Sequence, residues 1–103
     1  MPDPAEQLAR IYQAGFNIEQ FERFPHALGI VREGCMALMQ STPSGLVMIG
    51  RPGWRMGETM GVLVEKDGRW LFQAKHEVQE ATLERRDSLK QFEADLESLL
   101  KRD

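Results

Sequence analysis

One segment of the sequence concentrates residue types that bind anions: the eight residues 50–57, GRPGWRMG. It holds three Gly, one Pro, two Arg and one Trp, and no acidic residue follows before Glu58. Glycine lets backbone amides approach a ligand, and the guanidinium groups of Arg51 and Arg55 match carboxylate or phosphate oxygens. Trp54 would stack on a base, a sugar or another guanidinium. We therefore expect a ligand-binding loop at Arg51, Trp54 and Arg55.

The same segment is also compatible with a plain connection between two strands. In that alternative the Trp54 side chain folds back over the core and the two arginines are solvated. The segment matches neither the phosphate-binding pattern GxxxxGK[ST] nor the dinucleotide-binding pattern GxGxxG. The sequence therefore leaves both interpretations open, and exposure of Trp54 distinguishes them.

Only three residues suggest nucleophilic or metal chemistry, namely His26, Cys35 and His76. No HxxxH, HxH or HExxH spacing accompanies the two histidines, so we expect no metal and no cofactor. A Cys–His pair with a nearby Glu would give a small enzyme, with its site at a homodimer interface. Small apolar neighbours surround Cys35, and such an environment is typical of an inert, buried thiol.

The composition excludes several broad classes. The chain has 103 residues and a formal net charge of −3, which argues against a general nucleic-acid binder, since such proteins carry a basic excess. No run approaches the roughly 18 apolar residues of a membrane span, and the first residues lack the pattern of a secretory signal. One cysteine allows no intrachain disulfide. We expect a cytoplasmic protein that forms one α+β domain over residues 1–103, with no membrane or nucleic-acid partner.

The first quarter of the sequence, residues 1–25, predicts a pair of helices. Asp3 and Pro4 begin a helix that runs to Ala14, where the following Gly15 is a natural stop. A second, short helix carrying Ile18 and Phe21 would end before Pro25.

The middle of the chain, residues 27–78, has the period-two pattern of strands separated by turns. The strongest turn signal is Asp67-Gly68, which sets Val64 opposite Leu71. The pattern predicts about five strands joined as hairpins: Ala27 to Arg32, Cys35 to Ser41, Leu46 to Gly50, Thr59 to Lys66 and Arg69 to Lys75.

The last part of the chain, residues 82–102, predicts one long helix capped by Thr82. Its apolar stripe is formed by four residues with alternating three- and four-residue spacing: Leu89, Phe92, Leu96 and Leu99. Docking of this stripe on the sheet is the simpler interpretation. Pairing with the same helix of a second subunit is the alternative, which would make the stripe a dimer interface.

Together these patterns predict an α+β fold, an antiparallel sheet of about five hairpin-connected strands packed by an N-terminal helical pair and a long C-terminal helix. For function we expect a non-catalytic binding or interaction module, as a homodimer, that contacts a protein or a small anionic ligand through residues 50–57. The alternative is the interface enzyme that uses His26, Cys35 or His76 with a Glu.

Overall fold

The computed structural model of the chain describes residues 3–101. It contains two helices and seven strands in the following order along the chain: α1 (Pro4–Gln13), β1 (Asn17–Glu19), β2 (Leu28–Arg32), β3 (Cys35–Thr42), β4 (Gly45–Met56), β5 (Thr59–Lys66), β6 (Arg69–Gln73), β7 (Val78–Glu80) and α2 (Leu83–Leu100). The strands form one antiparallel meander in which spatial order equals sequence order, and the sheet curls into a half-barrel.

Helix α1 begins and ends where the sequence predicts. The Asp3 side chain accepts a hydrogen bond from the Ala5 amide, and Pro4 occupies the first turn, where it has no N–H to leave unpaired. At the other end the Phe16 amide donates to the Ile11 carbonyl, and the Gly15 amide donates to Tyr12. This is a Schellman stop, and it turns the chain so that Phe16 enters the core.

Two hairpins are built on the same type of turn. Glu33 and Gly34 have φ of 50° and 85°, and Asp67 and Gly68 have φ of 53° and 77°. Two consecutive residues with positive φ define the type I′ turn, whose twist matches that of the strands. The second turn sets Val64 opposite Leu71, as predicted.

The predicted helical pair at the N-terminus is wrong, because the chain forms a strand after α1. Residues Asn17–Glu19 form β1, in which Ile18 lies opposite Ile30 of β2. The segment is too short to form stable helical turns by itself, whereas β2 offers it a row of unpaired main-chain groups. Strand pairing therefore outweighs the local preference that predicted a second helix here.

The predicted number of five strands is also wrong, since the sheet has seven. The strand that we placed at Leu46 to Gly50 extends through Met56, so residues 50–57 are mostly strand and not a loop. The additional strands, β1 and β7, have three residues each. Such short edge strands carry no alternation long enough to recognise in a sequence.

The sheet has an apolar cluster on each face. On one face α1 and α2 pack over the inner cluster, which includes Ile30, Ala37 and Phe72. On the other face the β1–β2 connection covers the outer cluster of Phe21, Val31, Met36, Leu38 and neighbouring side chains. The clusters use alternate residues of β2 and β3, as the pleat requires.

Helix α2 closes the inner face. Thr82 caps it by accepting a hydrogen bond from the Arg85 amide, as the sequence predicts. Arg102, which we expected in this helix, lies outside the described residues. Within residues 3–101 neither helix has the length and apolar character that crossing a membrane requires.

Candidate functional site

The sheet splits between β4 and β5. These strands pair only over Trp54–Met56 and Thr59–Gly61. Before Trp54, β4 is paired with β3 alone, and after Gly61, β5 is paired with β6 alone. The two strands therefore separate beyond these paired residues, and the sheet is open between them.

The sequence of β4 explains why pairing stops there. One step beyond the Trp54–Gly61 pair, Gly53 is so close to β5 that a Cβ atom on it would collide with the Gly61 carbonyl. The next hydrogen-bonded position would set Pro52 opposite Leu63, but proline has no N–H to donate. A bulge then places residues 50–52 opposite the single residue Ala37, and Gly50 has a φ of +68°. A bulge of this kind bends the strand that carries it.

Helix α2 lies along the opening and turns it into a cleft, which we call the β4–β5 cleft. Its volume is about 380 Å³, within the range of small-ligand pockets. Most of the lining is apolar, and the apolar side chains come from β4, β5, β6 and α2: Pro52, Val62, Leu63, Trp70, Leu83 and Leu89.

Charged residues line the rest of the β4–β5 cleft, with three cations against two carboxylates: Arg51, Arg86, Lys90, Asp87 and Glu93. The Arg51 side chain is 88% exposed and lies 3.7 Å from Glu93, a loose contact that leaves it free to reach a ligand. Arg86 lies over the Trp70 ring at 5.3 Å and donates to the Ala81 carbonyl. The cleft is thus locally cationic in a chain whose formal charge is −3.

Trp54 does not project into solvent as a ligand-stacking residue. Its ring is stacked on Phe72, with 5.1 Å between the ring centroids and an interplanar angle of 9°. The guanidinium carbon of Arg85, a residue of α2, lies 5.3 Å from the Trp54 ring centroid. The residue is half-buried and packs against the inner cluster. Of the two alternatives for residues 50–57, Trp54 follows the one in which it covers the core.

Arg55 is directed to the opposite face of the sheet from Trp54. Its Nη1 atom lies 2.7 Å from a Glu19 carboxylate oxygen, and its guanidinium carbon lies 5.0 Å from the Phe21 ring centroid. Arg55 thereby ties β4 to β1 over the outer cluster. The structure does not bring Arg51, Trp54 and Arg55 together, and of the three only Arg51 lines the β4–β5 cleft.

The proposed nucleophile and histidines are also separated. Cys35 is buried in the inner cluster, and this burial raises the pKa of its thiol to about 11, although Arg32 opposes the shift. His26 and His76 are exposed, and they lie in the first and the last connection between strands. Among residues 3–101 no group of three or more His, Cys, Asp or Glu side chains is placed to hold a metal ion.

The stripe of α2 packs inside the chain. Phe92 and Leu96 are fully buried, Leu89 is nearly so, and Leu99 packs against the inner cluster. The Phe92 ring meets Phe16 edge-to-face at 5.5 Å. A dimer formed through these side chains would have to remove them from the core.

Sequence reasoning missed most of the cleft, in particular Trp70, Leu83, Arg86 and Lys90. The signal was weak: Leu83 is outside the apolar stripe of its helix, and Trp70 is one aromatic residue in a strand. Comparison of the chain with protein-family models, with curated proteins and with solved structures finds no match.

Proposed function

We propose that the chain is a non-catalytic binding module whose ligand occupies the β4–β5 cleft. The observation that carries the proposal is the split of the sheet at Gly53 and Gly61, which α2 converts into a pocket of about 380 Å³. The ligand has an apolar body, which the lining accommodates, and an anionic group, which Arg51 and Lys90 attract.

Solvent exposure of apolar side chains supports this location. Val62 is 56% exposed, Leu83 is 64% exposed and Trp70 is 38% exposed, although all three line one cleft. Grouped apolar exposure costs free energy that a bound ligand recovers, because it removes that surface from water. The lining of the cleft, within the described residues, offers cations and carboxylates but no His, Cys or Ser side chain. These groups suit recognition better than nucleophilic chemistry.

An aromatic sulfonate dye, 8-anilinonaphthalene-1-sulfonate, tests the proposal because it combines an apolar body with one negative charge. We expect saturable binding, followed by dye fluorescence and by energy transfer from tryptophan. Val62→Gln places an amide in the apolar wall and should lower the affinity for the dye by about tenfold. Arg51→Gln removes a cation and should lower this affinity by about fivefold.

Two matched variants serve as controls. Val78→Gln changes a valine of similar exposure, 53%, on β7 outside the cleft. Arg23→Gln removes an exposed arginine from the β1–β2 connection. Both should bind the dye like the unaltered protein. Equal loss in Val62→Gln and Val78→Gln, or no saturable binding to the unaltered protein, would contradict the proposal.

A further inference from the structure

The edge of β5 at the β4–β5 cleft has main-chain groups that lie outside the strand pairing. In the β5–β6 hairpin, pairing alternates from the Asp67-Gly68 turn, so Val64 exchanges hydrogen bonds with Leu71. The main-chain groups of Leu63 and Glu65 therefore point away from β6, toward the opening between β4 and β5. Because the β4–β5 ladder ends at Gly61, neither residue has a ladder partner on this side among the described residues.

On two other strands a side chain hydrogen-bonds a main-chain group that faces away from the neighbouring strand. The Leu46 amide, on the free side of β4, donates to the Gln7 side chain at 2.8 Å in a buried hydrogen bond. On β7 the Glu80 carbonyl accepts from Arg85 at 2.8 Å. Among the described residues no side chain closes the main chain of Leu63 or Glu65 in this way. β4 and β7 thus each carry a side-chain contact to a free main-chain group, whereas β5, within residues 3–101, carries none at Leu63, which lines the β4–β5 cleft, or at Glu65.

We infer that the occupant of the β4–β5 cleft is an extended polypeptide segment that adds to β5 as a strand. It pairs with the main chain of Leu63 and Glu65, directing alternate apolar side chains at the wall that includes Leu83 and Leu89. The inference rests on the proposed function and specifies its ligand class.

Charge defines the chemistry of this segment further. The three cations of the cleft exceed its two carboxylates, whereas the whole chain has an excess of three acidic residues. An acidic side chain beside the apolar ones would lie near Arg51 and Lys90. Two copies of this chain, each with a formal net charge of −3, repel each other overall, which disfavours a second copy as the occupant.

The probe for this inference is a capped synthetic peptide of seven residues, in which valine and threonine alternate and a glutamate stands at each end. We expect it to displace the sulfonate dye. Amide hydrogen exchange measured by NMR should slow at Leu63 and Glu65 by about tenfold or more, because their N–H groups become hydrogen-bonded. Val64, which already pairs with Leu71, should not change.

Two modified peptides isolate the mode of binding. N-methylation of alternate residues removes donors from one edge of the peptide, so one of the two methylation patterns should abolish displacement and the other should not. Replacing both glutamates by lysine should raise the peptide concentration needed to displace half of the dye by about tenfold.

The outcomes separate this inference from the proposed function. Dye binding without displacement by the peptide, or displacement that both methylation patterns leave intact, overturns strand addition but not the cleft as a binding site. Failure of the dye to bind removes both. A dimer in light scattering with Leu63 and Glu65 protected before peptide is added would show that a second copy occupies the edge, which also overturns the inference.

Discussion

The β2–β3 and β5–β6 hairpins have the same turn geometry and different surroundings. In β2 and β3 most residues are buried, because the helices cover one face and the β1–β2 connection covers the other. In β5 and β6 only Gly61 and Phe72 are buried. Equal local signals thus produced one hairpin that forms the core and one that borders the cleft.

The difference teaches where stability and binding reside. Residues of the β2–β3 hairpin contact neighbours on both faces, so their substitution acts mainly on folding. Those of the β5–β6 hairpin retain apolar side chains in contact with water, so their substitution should act mainly on binding. Substituting equivalent residues in the two hairpins measures this division directly.

The largest contrast is expected at the turns. Gly34→Ala and Gly68→Ala impose similar strain, about 1 kcal/mol, because both positions have positive φ. At Gly34 the new Cβ would also lie 2.7 Å from the Trp54 ring, whereas at Gly68 it meets nothing within 4 Å. We expect Gly34→Ala to destabilise by about 2–4 kcal/mol in urea unfolding, since overpacking adds to the strain. Equal losses would show that the two turns are equally open.

A valine pair measures the strands themselves. Val31 of β2 is 6% exposed and Val62 of β5 is 56% exposed. Val31→Ala should lower the free energy of unfolding by about 2 kcal/mol, and Val62→Ala by less than about 0.5 kcal/mol. Urea denaturation with a common m-value provides the measurement. A cost at Val62 as large as that at Val31 would mean that β5 belongs to the core as fully as β2.

The smallest effect concerns the contacts that attach each hairpin to α2. Arg32, at the end of β2, bonds Asp95 at 2.9 Å and lies over Phe16, whereas Arg86 reaches the second hairpin through the Trp70 ring. Hydrogen bonds from Arg32 and then from Gln91 hold the pKa of Asp95 below its usual range. A depressed folded pKa means that this stabilisation is complete above the unfolded value of about 3.9 and is lost as pH falls through the folded pKa.

We therefore expect Asp95→Asn to lower Tm slightly at neutral pH and to have no effect in strong acid. Arg86→Gln removes the contact with the Trp70 ring, which involves no carboxylate, so it should change Tm equally at both pH values. A difference between Asp95→Asn and the unaltered protein that persists unchanged in strong acid would contradict the assignment.

Part of the fold was predictable because it depends on neighbours in sequence. The Asp3 cap, the stop at Gly15, the turns at Gly34 and Gly68 and the cap at Thr82 are decided by a few adjacent residues. The β5 bounds and the pairing of Val64 with Leu71 follow from such a turn.

The candidate site was predictable only at Arg51. Neighbours in sequence alternate across a strand, so Trp54 and Arg55 face opposite sides of the sheet once residues 50–56 are strand. In an extended segment only alternate residues share a face, so neighbours such as Trp54 and Arg55 cannot converge on one ligand. The expectation of a loop over residues 50–57 was therefore wrong, and the structure does not bring Trp54 and Arg55 together.

The sequence by itself determined where the chain turns, where its helices begin and which alternation its longer strands follow, since those depend on local sterics and hydrogen bonding. Only the tertiary structure decided that residues 17–19 pair as an edge strand, that Trp54 packs inward and that the sheet opens between β4 and β5. Each of these depends on which distant segment supplies a partner for main-chain groups. Pro52 illustrates this division. The absence of its N–H is evident from the sequence, but that absence interrupts the sheet only because β5 lies opposite.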